Sequence, residues 1–226
     1  MKPYKAILIV LAVLLLDQGL KIWVKTHMML EDQIAITHWF KIHFVENSGM
    51  AFSMELPSRW GKIMLRLFRL IAVVAGMFYI KGLFDKKAHW GFITASCIIL
   101  AGAIGNLIDG AFYGLLFSDS FGRVSEFLPK GGGYAAFMQG DVVDMLRFPL
   151  YHGILPNWIP VWGGQYFEFF NAIFNISDAA IFIGVMLIII FQKQFFKKPP
   201  VETTEEIITP SQTEENPGSD PHSFPS

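Results

Sequence analysis

"FNISDAAIFIGVMLIIIF", residues 174–191, has no charged residue from Ala179 to Phe191, yet it opens on an aspartate, Asp178. Continued to residue 196, the run reaches the roughly 20 apolar residues that one bilayer crossing needs. It therefore reads as a membrane span. An acid at its head has two readings. Asp near a helix N-terminus caps free N–H groups and suits the helix dipole. A carboxylate at a membrane segment is also costly, and so marks a functional position by default. From this stretch alone the two weigh about equally.

The whole chain agrees with a membrane reading. Its 226 residues are 53% hydrophobic and 16% charged, with 22 Phe and a mean hydropathy of +0.42. Soluble domains seldom combine these values, and an integral membrane protein fits them. The net charge of −1 conceals an asymmetry. Residues 199–226 hold six acids (Glu202, Glu205, Glu206, Glu214, Glu215 and Asp220) and no Lys or Arg. The body is left with 18 basic against 13 acidic residues, and is basic. Residues 1–198 thus form one membrane domain, and 199–226 an acidic tail expected to be disordered and cytoplasmic. The single cysteine, Cys97, excludes an intrachain disulfide and reads as a small buried hydrophobe.

Three further apolar runs stand out. The predicted spans are about 4–24, 61–84, 90–117 and 176–196. The first begins like a secretory signal, with Lys2 and Lys5 before "AILIVLAVLLL", but it lacks a small-x-small cleavage site. It reads as an uncleaved span. Arg66 and Arg69 weaken the second span, either snorkelling from its start or lying before it. Basic clusters (Lys2 and Lys5; Lys81, Lys86 and Lys87; Lys193, Lys197 and Lys198) fall on one side of this arrangement, assigned to the cytoplasm. Both termini are then inside. Segments of about 25–60 and 118–175 lie outside. The first alternates enough for short strands, and carries Trp39, Phe40, Phe44 and Phe52 for a membrane surface. The second is rich in Gly, Pro and aromatics and is expected to be irregular and interface-hugging. The fold class is an all-α membrane protein: four transmembrane helices with a small periplasmic β/irregular region on the membrane surface.

Under this topology the unusual polar residues gather at the outer face: Asp17, Lys21, Asn47, Asn106, Asp109, Asp144, Asn175 and Asp178. Structural roles exist for several. Asp17 and Lys21, four apart, form an interfacial ion pair on one helix face. Asn106 bonds helix to helix, and Gly102 and Gly105 allow close packing. Asp109 caps or snorkels. Asp144 in "VVD" and Asp178 in "ISD" are harder to dismiss together. Two nearby carboxylates in a poorly solvated site cannot both ionise easily, so the pair shares a proton. The ionised member can take a proton from water while the other polarises a carbonyl, which is aspartic-peptidase chemistry. Competing chemistries lack their patterns. The six histidines form no HExxH, so no metal is expected; GxSxG is absent; Cys97 has no evident base; no basic stripe suits nucleic acid.

Five ordered motifs resemble those of lipoprotein signal peptidase (signal peptidase II) of the bacterial inner membrane, over most of residues 7–196. "DQGLK" is similar to D-Q-x-x-K (Asp17, Lys21); "ENSGMAFS" to N-x-G-x-A-F (Asn47, Gly49, Ala51); "AGAIGNLID" to G-G-A-x-G-N-x-x-D-R (Gly105, Asn106, Asp109). "VVDML" resembles V-V-D-F, and "FNISDAAI" resembles F-N-x-A-D-x-x-I. The resemblance implies catalytic aspartates at Asp144 and Asp178. Asn47, Gly49, Asn106 and Asn175 would hold substrate or position the aspartates; Asp17, Lys21 and Asp109 would support the site. It implies a prolipoprotein substrate carrying diacylglyceryl-cysteine, cut before that cysteine near the periplasmic face. Membrane lipid is the other expected partner. No cofactor and no nucleic acid are expected, and a monomer is. Three departures stand out. Gly110 stands where the family has an arginine that helps hold substrate, with Arg123 and Arg147 as candidate replacements. Ser177 replaces an alanine. The stretch from Asp109 to Asp144 is much longer than the family's compact form, which suggests a periplasmic elaboration acting as a lid. Two other readings stay open: a small proton-coupled transporter using the same acids, and a non-catalytic membrane scaffold.

Overall fold

The computed structural model describes residues 1–49 and 59–197. Ala51 and Phe52 of the second motif, Lys198 and the acidic tail lie outside the described residues. The chain divides into two units, Met1–Phe196 and Lys197–Ser226; the architecture below is that of the first.

Four helices are long and apolar enough to cross a membrane: Pro3–His27, Trp60–Asp85, Trp90–Leu116 and Ile176–Phe195. They correspond to α1 (Pro3–His27), α2 (Arg59–Asp85), α3 (Trp90–Ile108) with its continuation, and α5 (Ile176–Phe195). The span ends shift from the predicted ones by less than a turn. The bundle is apolar outside and polar within at one end. Leu15, Phe78 and Phe182 are 74%, 71% and 67% exposed, while Asp17, Lys21, Asn106 and Asp109 are buried. Such a distribution suits hydrocarbon as the outer solvent, where apolar side chains need no partner and polar ones must find theirs inside. At the opposite end, Ala6, Ile80, Leu83, Phe92, Ile93 and Cys97 form an apolar cluster, and Cys97 is buried there as expected.

Close approach of α3 and α5 depends on missing side chains. A Cβ on Gly102 would lie 2.3 Å from the Ser177 carbonyl oxygen, and one on Gly105 would lie 2.0 Å from Ser177 Oγ. These are the small-residue contacts that let membrane helices pack without a hydrophobic drive. Past Ile108, α3 continues through a π-helical turn, Asp109–Tyr113, and ends in a short turn, α4 (Gly114–Leu116). Single π-turns often mark functional positions.

The long stretch after α4 packs on this end of the bundle. Its backbone N–H groups from Met138, Ala135 and Gly140 donate to the carbonyls of Ala111, Gly114 and Gly110, which the helix end leaves free. Lys25, fully buried near the end of α1, forms an ion pair with Glu46 and donates to Ser120 Oγ at 3.0 Å. Its ammonium also lies over the rings of Phe44, Phe117 and Tyr134, at 5.8, 5.3 and 5.0 Å.

The region expected to be irregular contains more strand than predicted. A four-stranded sheet runs β1 (Gln33–Ala35), β2 (Lys41–Asn47), β3 (Val142–Arg147), β6 (Ile173–Phe174) in spatial order. Its neighbours are antiparallel, and the β2–β3 register shifts between Ile42 and Val45. A separate hairpin, β4 (Tyr151–Ile154) and β5 (Tyr166–Phe169), leaves Trp158 and Val161 81% and 84% exposed. An exposed tryptophan beside an exposed aliphatic side chain suits a membrane–water interface. β3 is buried on both faces, so its polar–apolar alternation is weak and its sequence carries little strand signal.

Candidate active site

The sheet determines where Asp144 sits. Along β3, Val143 and Met145 are fully buried in a core with Val24, Met28, Phe44, Tyr113 and Phe117. Side chains alternate along a strand, so Asp144 faces the other way. Val45 is its partner on β2, and Leu146 pairs with Phe174 of β6. That pairing brings the next residue, Asn175, beside Asp144. Asn175 Nδ2 donates to Asp144 Oδ1 at 2.6 Å, and Asn47 Nδ2 donates to Oδ2 at 3.2 Å.

Asn175 also caps α5. Its Oδ1 accepts the Asp178 backbone N–H at 2.9 Å. One side chain therefore joins the two aspartates and starts the helix that carries the second of them. The Asp178 carboxylate accepts from Asn106 Nδ2 at 2.7 Å. Both readings of Asp178 hold together: it stands in the first turn of α5, where the dipole favours an acid, and it points into a polar cluster. Asp144 is only 4% exposed. Burial pushes its carboxyl up from the ordinary 3.8 to about 7, helped by the Asp178 charge and opposed by the Asn47 and Asn175 donors and by Lys21. A carboxyl that keeps its proton near neutrality, beside a second carboxylate, is able to act as half of an acid–base pair.

Behind these groups lies a closed network. Lys21 Nζ is 2.8 Å from Asp17, 2.6 Å from Asp109, and donates to Asn106 Oδ1 at 3.1 Å. Lys21, Asp17 and Asp109 have fully buried side chains. The Asp17–Lys21 pair is thus a three-membered ion cluster rather than an interfacial pair. Asp17 Oδ1 accepts the Ser177 backbone N–H at 2.9 Å, satisfying a second free donor of α5. Gln18, the neutral residue of "DQGLK", joins the network as well. It donates to Asp109 Oδ1 at 2.9 Å and accepts from the Tyr113 hydroxyl at 3.0 Å. Gly49 has φ +102, a conformation that favours glycine, and its N–H donates to Asn47 Oδ1 at 2.9 Å.

Neither Arg123 nor Arg147 fills the place beside Gly110. Arg123 donates to the Asp119 carbonyl, and Arg147 bonds Asn171 on the sheet. The space belongs to Arg66 of α2, which is buried and does not snorkel. A Cβ on Gly110 would lie 2.7 Å from Arg66 Nε. The available signal was a charge inside an apolar span, which calls for a functional explanation.

On its open side Asp178 borders an apolar groove of about 440 Å³, lined also by Phe170, Phe174, Ala179, Phe182 and Ile183. Apolar helices thus surround a buried polar centre, with carboxylates held by carboxamides at one end. Residues 9–194 match the family model of signal peptidase (SPase) II, and the chain belongs to the signal peptidase II family. It is similar to the lipoprotein signal peptidase of Porphyromonas gingivalis, with 46% identity over 186 residues, 82% of this chain and 80% of that one. The lipoprotein signal peptidase of Amoebophilus asiaticus is 34% identical over 206 residues, covering 88% and 81%. A bacterial membrane enzyme solved by the in meso method at 1.9 Å shares the fold, with TM-score 0.54 and 25% identity over 87% of this chain and 96% of that one.

Proposed function

We propose that the chain is an aspartic endopeptidase that removes signal peptides from diacylglyceryl-modified prolipoproteins, cutting just before the lipidated cysteine. The observation that carries this reading is the Asn175 bridge, which joins Asp144 and Asp178 through one side chain. Asp144, with its raised pKa, holds the shared proton, and Asp178 is the base. Asp178 takes a proton from water as the water oxygen attacks the scissile carbonyl carbon. Asp144 gives its proton to the carbonyl oxygen, forming a gem-diol. Asp178 then delivers its proton to the amide nitrogen, the C–N bond breaks, and Asp144 recovers a proton from a gem-diol hydroxyl. Asn47 and Asn106 hold the two carboxylates in place. Lys21 pairs with both Asp17 and Asp109, and the cluster braces α1, α3 and α5. Gly49 shapes the Asn47 turn.

The groove beside Asp178 supports a lipid-bearing substrate, because acyl chains match its apolar lining. Lys2, Lys5, Lys81, Lys86, Lys87, Lys193 and Lys197 lie toward the other helix ends, so the positive-inside rule supports a site at the periplasmic face of the inner membrane, with both termini cytoplasmic. The test is cleavage of a diacylglyceryl-modified prolipoprotein by purified protein in detergent. Wild type should cut, while folded Asp144→Asn and Asp178→Asn should not. Normal cleavage by either variant would refute the dyad, and no cleavage by folded wild type would refute the peptidase reading.

A further inference from the structure

Arg66 is the unusual residue of α2. Its side chain is 2% exposed, inside a helix long and apolar enough to span a membrane. Of its donors, Nη2 bonds the Gly140 carbonyl. Nε and Nη1 are buried and have no hydrogen-bond partner among the described residues. Its carboxylate neighbour Asp141 lies 3.8 Å away and is already held by Lys62 at 2.8 Å. A buried cation with two idle N–H groups is destabilising, so a purely structural role explains it poorly.

Its position is informative. A Cβ on Gly110 would meet Arg66 Nε at 2.7 Å, Cδ at 3.1 Å and Cγ at 3.2 Å. The preceding residue, Leu65, would lie 2.6 Å from a Cβ on Gly49. This turn of α2 is therefore wedged between two glycines. One follows Asp109, and the other closes the turn whose Asn47 donates to Asp144. The Gly140–Asp141 step that Arg66 grips leads directly into β3 and Asp144.

We propose that Arg66 is a substrate-binding residue of this site, donating through Nε and Nη1 to a main-chain carbonyl of the bound prolipoprotein segment. Gly110 is its complement: it lacks a side chain so that a guanidinium from α2 can occupy that volume. The inference rests on the peptidase reading above. It also implies that the cation can be moved. An arginine on residue 110 would start from the same space that Arg66 now fills.

The experiment measures KM, kcat and thermal stability on a synthetic diacylglyceryl-modified prolipoprotein peptide. Binding of the same peptide is measured in an Asp144→Asn background. Arg66→Met removes the idle donors together with the Nη2 bond to the Gly140 carbonyl and the desolvation cost of the buried cation, while Lys62 still satisfies Asp141. It should fold with stability close to wild type, raise KM by roughly ten- to a hundredfold for the lost charged hydrogen bonds, and weaken binding in parallel. Arg66→Lys keeps the charge but not the fork, and should recover only part of the affinity. Gly110→Arg alone should clash and lose activity, whereas Arg66→Ala with Gly110→Arg should regain much of it. An unchanged KM in Arg66→Met, or in Arg66→Lys should the Met variant fail to fold, overturns the proposal. So does an activity loss that tracks loss of stability with KM unaltered. A wild type that binds the peptide without cutting it sinks the peptidase chemistry and leaves the Arg66 contact to be judged by binding alone.

Discussion

Replacing Asp144 by Asn should make stability respond to pH in a way that isolates this one carboxyl. In the folded protein burial raises its pKa to about 7, against an ordinary 3.8. Between those values the folded state holds a proton that the unfolded chain has released. Wild-type stability must therefore fall as pH rises through this window, because the unfolded state binds fewer protons. At about 1.4 kcal/mol per tenfold change in proton affinity, the drop from pH 3 to pH 8 is roughly 4 kcal/mol. The Asn variant lacks this drop. It carries a pH-independent penalty instead. Asn47 and Asn175 each donate to one oxygen of Asp144, and an amide nitrogen would face one of those donors, costing about 1–3 kcal/mol. The variant should thus be the less stable protein at pH 4 and the more stable one at pH 8. Thermal unfolding of both proteins in detergent, followed by tryptophan fluorescence across that range, reads the difference directly. Titrating groups remote from the dyad are common to both and largely cancel, so the difference reports the Asp144–Asp178 pair. A wild-type-minus-variant difference that stays flat with pH would show that the carboxyl ionises normally, and the assignment of the shared proton to Asp144 would fall.

Four further outcomes are expected. Peptidase activity should fall above about pH 7, by roughly tenfold per pH unit, as Asp144 loses the proton it must give; a plateau to pH 9 would contradict this. Lys21→Met leaves Asp17 and Asp109 buried beside each other without a cation, and should destabilise the protein by roughly 3–5 kcal/mol in the same unfolding assay. Gly105→Leu would drive a side chain into Ser177 Oγ and Asp17 Oδ2, separating α3 from α5. Loss of activity and of stability together is expected, whereas the same change at Gly19, where a Cβ meets nothing within 4 Å, should be tolerated. Asn175→Ala removes a helix cap worth about 1 kcal/mol, but should reduce turnover far more than stability, because it also frees Asp144.

Much of the site was legible in the residues. Carboxylates and carboxamides in apolar segments stand out because hydrocarbon penalises them, and nearly all of those singled out converge within hydrogen-bond reach. Gln18 and Tyr113, which bond each other in the site, are neutral polar groups and carry a weaker signal in the sequence. Arg66 weakens the second span in the sequence, yet its side chain is buried in the structure. Sequence reports that a charge lies at that depth, not which way it faces. The side chain that occupies the space beside Gly110 is Arg66, from a different helix, and not Arg123 or Arg147 downstream. The stretch after Asp109 bonds the carbonyls at the end of α3 and its continuation, contacts that no hydropathy pattern records.

The sequence by itself determined the four spans, the membrane class and the chemical types at the site. Hydropathy and charge act locally and leave a mark wherever lipid is the solvent. Only the tertiary structure decided how the pieces meet. The pairing of Leu146 with Phe174 brings Asn175 to Asp144, the glycine seam lets α5 approach α3, and Gly110 leaves room for Arg66. Each of these is a match in shape or register between segments far apart in the chain. No single segment records such a match, because its energy belongs to the contact and not to either partner.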